Sequence, residues 1–287
     1  MSESRADWRD LCVRLDRAAM TEQAEMALAV DDVVAAVNWY VRMARRYYGS
    51  AGENVQTLRP RVEAAAAAGD VEAKALLGGL LLEYDRAPEQ AVQLFVEAVD
   101  GGSAAGMRGL GHLLANGLGM PADEPRAAEL FRQSAELGDA VSAFNLAQCY
   151  SKGRGVRINA KSYLEWLRRA AELCHNDACA QYAEVLDRQR KPEEAWLWHI
   201  KAAELGNIPS ALTVGATYRD GSPLIERDPV QAVRWFLSTL DRGISDGFRE
   251  ADGMAPALTA AQIREAGVLS GHEPEAQLLI DRYHAGE

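Results

Sequence analysis

The sequence predicts an all-α solenoid of stacked helix-turn-helix repeats. Three observations predict it: a phrase that closes each unit, two sets of apolar columns at helical spacing between the phrases, and a glycine-rich connection that recurs inside the units. The phrase reads AAAAAGD, EAVDGGS, SAELGDA, RAAELCH and KAAELGN. Its terminal residue falls at Gly69, Gly102, Gly138, Cys174 and Gly206, with a looser copy at Gly243.

Residues 1–69 read as a helical cap of three helices, about 5–18, 22–48 and 53–68. The second contains AAVNWYVRMA, which echoes the second-helix phrase of the repeats and makes Ala36, Trp39, Tyr40 and Ala44 core positions. Five repeats follow over 70–243. Counting forward from each terminal residue, position eight holds Leu77, Leu110, Leu146, Tyr182 and Val214, and position twelve holds Leu81, Leu114, Tyr150, Leu186 and Tyr218. Four residues apart, these lie on one face of a first helix. Between them, position nine is always tiny: Gly78, Gly111, Ala147, Ala183 and Gly215. A glycine inside a helix costs about 1 kcal/mol relative to alanine, so a close helix approach is the expected reason for it.

Counting backward, the second helix carries Leu94, Leu130, Trp166, Trp198 and Trp235 beside Phe95, Phe131, Leu167, His199 and Phe236, then small residues one turn later. Large against small across facing helices gives pairs that stack. The terminal glycine ends the helix in a left-handed cap, and Cys174 must either adopt that geometry or turn differently. Inside the units, Gly117 aligns with Gly153 and Gly119 with Gly155, whereas the first and fourth connections are shorter. After residue 243, GFREADGMAP reads as a loop. Two short helices, TAAQIREAGVL with Thr259 as N-cap and EPEAQLLIDRY, complete a C-terminal cap over 244–287.

The pattern A…LG..Y..G.G…..A..WF..AAELG resembles the Sel-one-like repeat family, relatives of tetratricopeptide repeats, over about residues 70–243. The resemblance implies a right-handed α/α superhelix whose first helices line a concave binding surface, and roles as adaptor, scaffold, regulator, effector or immunity partner.

Composition narrows the function. At 287 residues with 48% hydrophobic content the chain has ample core, and a net charge of −11 argues against nucleic acid and anionic lipid as partners. Arg42, Arg45 and Arg46 form a local basic group that reads as a solvated helix face. The opening MSESRADWRDLCVRLDR has no uninterrupted apolar run, no stretch approaches the ~20 apolar residues of a membrane span, and the four cysteines are irregularly spaced. A cytoplasmic protein with reduced thiols is expected.

Motifs for phosphate loops, dinucleotide folds, zinc proteases and serine hydrolases are absent. The best metal candidate, Cys174, His175 and Cys179 with Cys149, sits largely in small apolar columns, so no metal or cofactor is expected. His199 replaces an apolar core residue and His112 stands in a polar column.

A polar ladder remains. Positions seven, ten and fourteen of the first helices project away from the core. They hold His112 and Asn116, then Asn145, Gln148 and Lys152, then Gln181, Glu184 and Arg188, then Thr213 and Asp220. Side-chain amides both donate and accept, which suits the main chain of an extended peptide. The expected function is a non-catalytic scaffold or adaptor that binds a protein or peptide on this face. The alternatives are a bacterial regulator or immunity-type inhibitor that clasps one enzyme, and a self-assembling structural protein, which would form a homo-oligomer.

Overall fold

The computed structural model describes residues 17–47, 51–242 and 245–285. The expected helix 5–18 lies almost wholly outside them, as does Gly243. The described chain is all-α. Its helices are α1 (Arg17–Ala29), α2 (Val33–Tyr47), α3 (Ala51–Ala67), α4 (Val71–Leu80), α5 (Pro88–Asp100), α6 (Ala104–Asn116), α7 (Glu124–Glu136) and α8 (Ala140–Lys152). There follow α9 (Ala160–Glu172), α10 (Asn176–Arg188), α11 (Pro192–Glu204), α12 (Ile208–Asp220), α13 (Pro229–Leu237), α14 (Ser245–Met254), α15 (Ala260–Ser270) and α16 (Glu273–Tyr283). The chain divides into two compact units, Met1–Ala178 and Cys179–Glu287. Within each unit, helices pack chiefly against their neighbours in sequence.

One set of backbone bonds defines the turn that ends each second helix. The N–H groups of Gly69, Gly102, Gly138, Cys174 and Gly206 donate to the carbonyls three residues back, and the next N–H donates five residues back, all at 2.9–3.1 Å. This paired pattern satisfies carbonyls that the helix end leaves open. It requires a left-handed residue, and Cys174 adopts it with φ of 63° beside glycines at 82–99°. The residue after the turn then caps the next first helix. Asp70, Ser103, Asp139, His175 and Asn207 accept from the N–H three residues on, at 2.7–3.3 Å.

A second set fixes the connection inside each hairpin whatever its length. The carbonyls of the position-twelve residues Leu81, Leu114, Tyr150, Leu186 and Tyr218 accept from Ala87, Asp123, Asn159, Lys191 and Asp228, at 2.9–3.1 Å. The first unit also holds two long connections built on paired left-handed glycines. Gly117 and Gly153 stop α6 and α8, while Gly119 and Gly155 press on the start of the preceding second helix, at Pro88 and Glu124.

The core follows the columns. Leu110, Leu146 and Val214 of the first helices and Phe95, Leu130, Phe131, Leu167 and Phe236 of the second are buried. Full burial of one such side chain contributes about 1.5–3 kcal/mol. Tyr150 packs half-buried against the same cluster as Leu146. The tryptophan column is less interior than expected. Trp235 is buried, but Trp166 and Trp198 are only partly so, with the cations of Arg169 and Lys201 over their rings at 5.2 and 4.7 Å.

Three expectations are corrected. The span 22–48 is two helices, because Asp31 turns left-handed (φ 64°) and Asp32 caps α2 by accepting from Ala35 N at 2.9 Å. Helix α2 takes the place of a first helix rather than a second, since it pairs with α3 and touches α4 as α4 touches α6. Its Ala36 and Tyr40 are buried and its Trp39 and Ala44 partly so. The segment GFREADGMAP belongs to α14 and a short 3-10 turn, Ala255–Ala257, instead of a loop. Phe248, Ala251 and Ala255 recur at helical spacing and pack into the core, while Gly247 admits the backbone of Phe236.

Candidate functional site

Five of the ten ladder residues meet in one place. In the first unit, His112 and Asn116 of α6 and Asn145, Gln148 and Lys152 of α8 line an open cleft of about 100 Å³. They converge because positions ten and fourteen of one first helix face positions seven, ten and fourteen of the next. Asn116, the last residue of α6, donates from Nδ2 to the His112 carbonyl at 2.8 Å and lies 3.3 Å from His112 Nδ1. Surrounding protein pushes the His112 pKa down, which keeps its ring neutral and able to accept as well as donate.

The cleft contains residues that the ladder pattern missed. Glu124 opens α7, and Arg154 comes from the Gly-x-Gly connection after α8. Arg154 Nε donates to Glu124 Oε1 at 2.8 Å, and its Nη2 donates to the Ala115 carbonyl. One arginine thus joins two successive repeats beneath the ladder. Phe131 and Cys149 supply apolar wall. Burial pushes the Cys149 thiol up, so it stands protonated. Arg154 was discoverable as the residue held between Gly153 and Gly155, but its target one repeat earlier was not.

The other five residues lie in the second unit, each with its own local setting. Glu184 and Arg188 pair along α10 at 3.3 Å. Thr213 donates its hydroxyl to the Pro209 carbonyl at 2.9 Å, one turn back on α12. Asp220 is held by Arg219 at 2.8 Å, which pulls its carboxyl pKa down. Gln181 is half-buried on α10.

The remaining candidates have structural settings. His175 stacks on Phe144 with ring centroids 4.4 Å apart, and its Nδ1 caps α10. Cys149 and Cys179 are buried cysteines outside any disulfide. Among the described residues, no three His, Cys, Asp or Glu side chains group to hold a metal ion. His199 Nε2 lies 3.1 Å from Asp187 Oδ2, its side chain 15% exposed. No helix among the described residues is long and apolar enough to cross a membrane.

Residues 62–103, 104–139, 140–173, 177–207 and 211–243 match the Sel1 repeat, more than half of the chain. A search of curated proteins returned no match. Among solved structures, a Sel1 repeat protein from Oxalobacter formigenes aligns with a TM-score of 0.56 at 20% identity, over 80% of this chain and 100% of that one. A protective antigen of uropathogenic Escherichia coli with an SLR fold aligns with a TM-score of 0.52 at 20% identity, over 96% of this chain and 66% of that one. An immunity protein from Pseudomonas aeruginosa gives a TM-score of 0.45 at 18% identity, over 75% and 83%. At these identities the likeness is one of fold.

Proposed function

We propose, from the premise that this chain belongs to the Sel1 repeat family, that it is a non-catalytic adaptor that binds a segment of another protein along its first helices. Sel1 repeat proteins are generally scaffolds that mediate protein interactions, and fold alone does not choose the partner. The observation that carries the reading is the cleft between α6 and α8, where Asn116, Asn145, Gln148, His112 and Lys152 converge. Amide and imidazole groups can match both the N–H and the C=O of an extended chain. Lys152 adds a charge at the rim. In this reading residues 70–243 are the working array and 1–69 and 244–287 its caps. Cysteines outside any disulfide at positions 149, 174 and 179 support a reducing, cytoplasmic setting.

The test is affinity capture from native lysate, comparing the wild type with the triple variant Asn145→Ala, Gln148→Ala and Lys152→Ala. The reading expects partners that the wild type retains and the variant loses, with unchanged melting temperature. If the same partners persist on the variant, the cleft is not the site.

A further inference from the structure

Helix α2 brings Arg42 and Arg45 to the same neighbourhood as Arg108 of α6. Two of these three arginines are matched by carboxylates of the chain. Arg45 holds Glu83 through both carboxylate oxygens, with contacts of 2.6–3.2 Å. Arg108 holds Asp139 Oδ2, while Asp139 Oδ1 accepts from Ser142 N at 2.7 Å as the cap of α8. Both oxygens of Glu83 and both of Asp139 are therefore engaged.

Arg42 is left over. It is exposed, and its guanidinium lies over the Trp39 ring at 5.0 Å. It forms no hydrogen bond or ion pair among the described residues. Crowding by the protein lowers its pKa, the Arg108 and Arg45 cations push the same way, and only Asp139 pushes back. An arginine nonetheless stays charged, and a planar guanidinium seated on an aromatic ring is held ready for a bidentate oxyanion. Arg108 lies one turn before His112 on α6.

We propose that Arg42, stacked on Trp39 beside the Arg45–Glu83 and Arg108–Asp139 pairs, docks a carboxylate from an acidic segment of the partner protein. Among the described side chains, three arginines here meet two carboxylates, Glu83 and Asp139. A carboxylate is the oxyanion that fits the group, because the neighbouring Arg45 and Arg108 each hold one. At physiological salt the repulsion from the chain's net charge of −11 is screened beyond about 8 Å, which leaves the local cations in control. The proposal rests on the first-helix face as the binding surface.

The test is isothermal titration of the full chain with N-acetyl-octaglutamate amide at physiological salt, beside inorganic phosphate. Saturable octaglutamate binding is expected, with phosphate at least ten-fold weaker. Arg42→Gln should weaken octaglutamate at least ten-fold and melt with the wild type. Arg168→Gln, whose partner Glu172 lies on the second helix α9, should bind as the wild type does. The Arg42 Nε–H resonance should shift on saturation. Octaglutamate that ignores the wild type, binds Arg42→Gln equally well, or leaves that resonance in place overturns the proposal, as does equal affinity for phosphate. Ladder-dependent capture of a partner without octaglutamate binding would overturn the carboxylate dock and leave the binding face standing. Octaglutamate binding without ladder-dependent partners would do the reverse.

Discussion

Gly111 of α6 lies directly under the ring of Phe131 of α7: a Cβ at Gly111 would stand 2.8 Å from Phe131 Cε1. The same pair recurs as Gly78 under Phe95 (2.9 Å) and Gly215 under Phe236 (2.7 Å). In the two repeats whose second-helix residue is Leu167 or His199, the first helix carries Ala147 or Ala183 instead. Glycine is present where a phenyl ring must be admitted, and alanine where the facing residue differs. The loss of helix propensity is offset by the close contact.

Gly111→Ala should therefore destabilise the protein by about 1–3 kcal/mol through overpacking. Phe131→Leu alone should also destabilise. The double variant, which copies the Ala147 and Leu167 pair, should recover most of the Gly111→Ala loss. Urea unfolding of the four proteins measures the coupling. Strict additivity would show that the two residues do not share one space.

Cys174 holds a left-handed turn at φ 63° that glycine holds elsewhere. Cys174→Gly should be neutral or stabilising by up to about 1 kcal/mol, because relief of the strained backbone offsets the greater freedom of the unfolded chain. Cys174→Val, with a branched Cβ in the same conformation, should lower stability by more than about 1 kcal/mol. A melting temperature raised by valine would contradict the cap geometry.

Gly155 and Gly138 separate two reasons for glycine. Both have positive φ, 70° and 94°. A Cβ at Gly138 meets nothing within 4 Å, whereas one at Gly155 would stand 2.1 Å from the Glu124 carbonyl oxygen. Gly138→Ala should cost about 1–2 kcal/mol from backbone strain alone. Gly155→Ala should cost clearly more and should also loosen Arg154 from Glu124. Chemical denaturation ranks the two, and equal losses would mean that the loop does not rest on α7.

His175 gives the first unit a pH dependence of known sign. Burial lowers its pKa, with Asp177 and Asp139 partly opposing, so the folded protein favours the neutral ring. The neutral Nδ1 accepts from Ala178 N at 3.3 Å, and a protonated ring would lose that role. A folded pKa below the unfolded value of 6.5 means that the unfolded chain binds more protons between the two. Stability is then complete above about pH 6.5 and falls as pH drops below it. His112 shifts in the same direction and adds to the effect. His175→Asn, which places at this cap the residue found at Asn207, should reduce the slope of unfolding free energy against pH between 5 and 7. An unchanged slope would remove His175 from the account.

Much of this molecule was legible before folding was considered. Leu146 and Tyr150 lie four residues apart, and Gly138 comes three residues after the small pair Ser134 and Ala135. These are short-range patterns that a helix turns into faces and ends, so they determine the hairpin and its core columns. Five members of the candidate site were legible for the same reason: Asn145, Gln148 and Lys152 share one face of α8, and His112 and Asn116 one face of α6. The break at Asp31 and the helix α14 were not legible, because Asp and Gly within GFREADGMAP imitate a loop until Phe248 and Ala251 find a core.

The sequence by itself thus determined the repeat, its period and the polarity of each helix face, because these depend on spacing along one strand of chain. The tertiary structure alone decided which residues meet across repeats: Arg154 on Glu124, and Arg42 near Arg108. Those meetings depend on how one hairpin settles against the next, where contact forces act between residues 30 and 66 positions apart and leave no periodic trace.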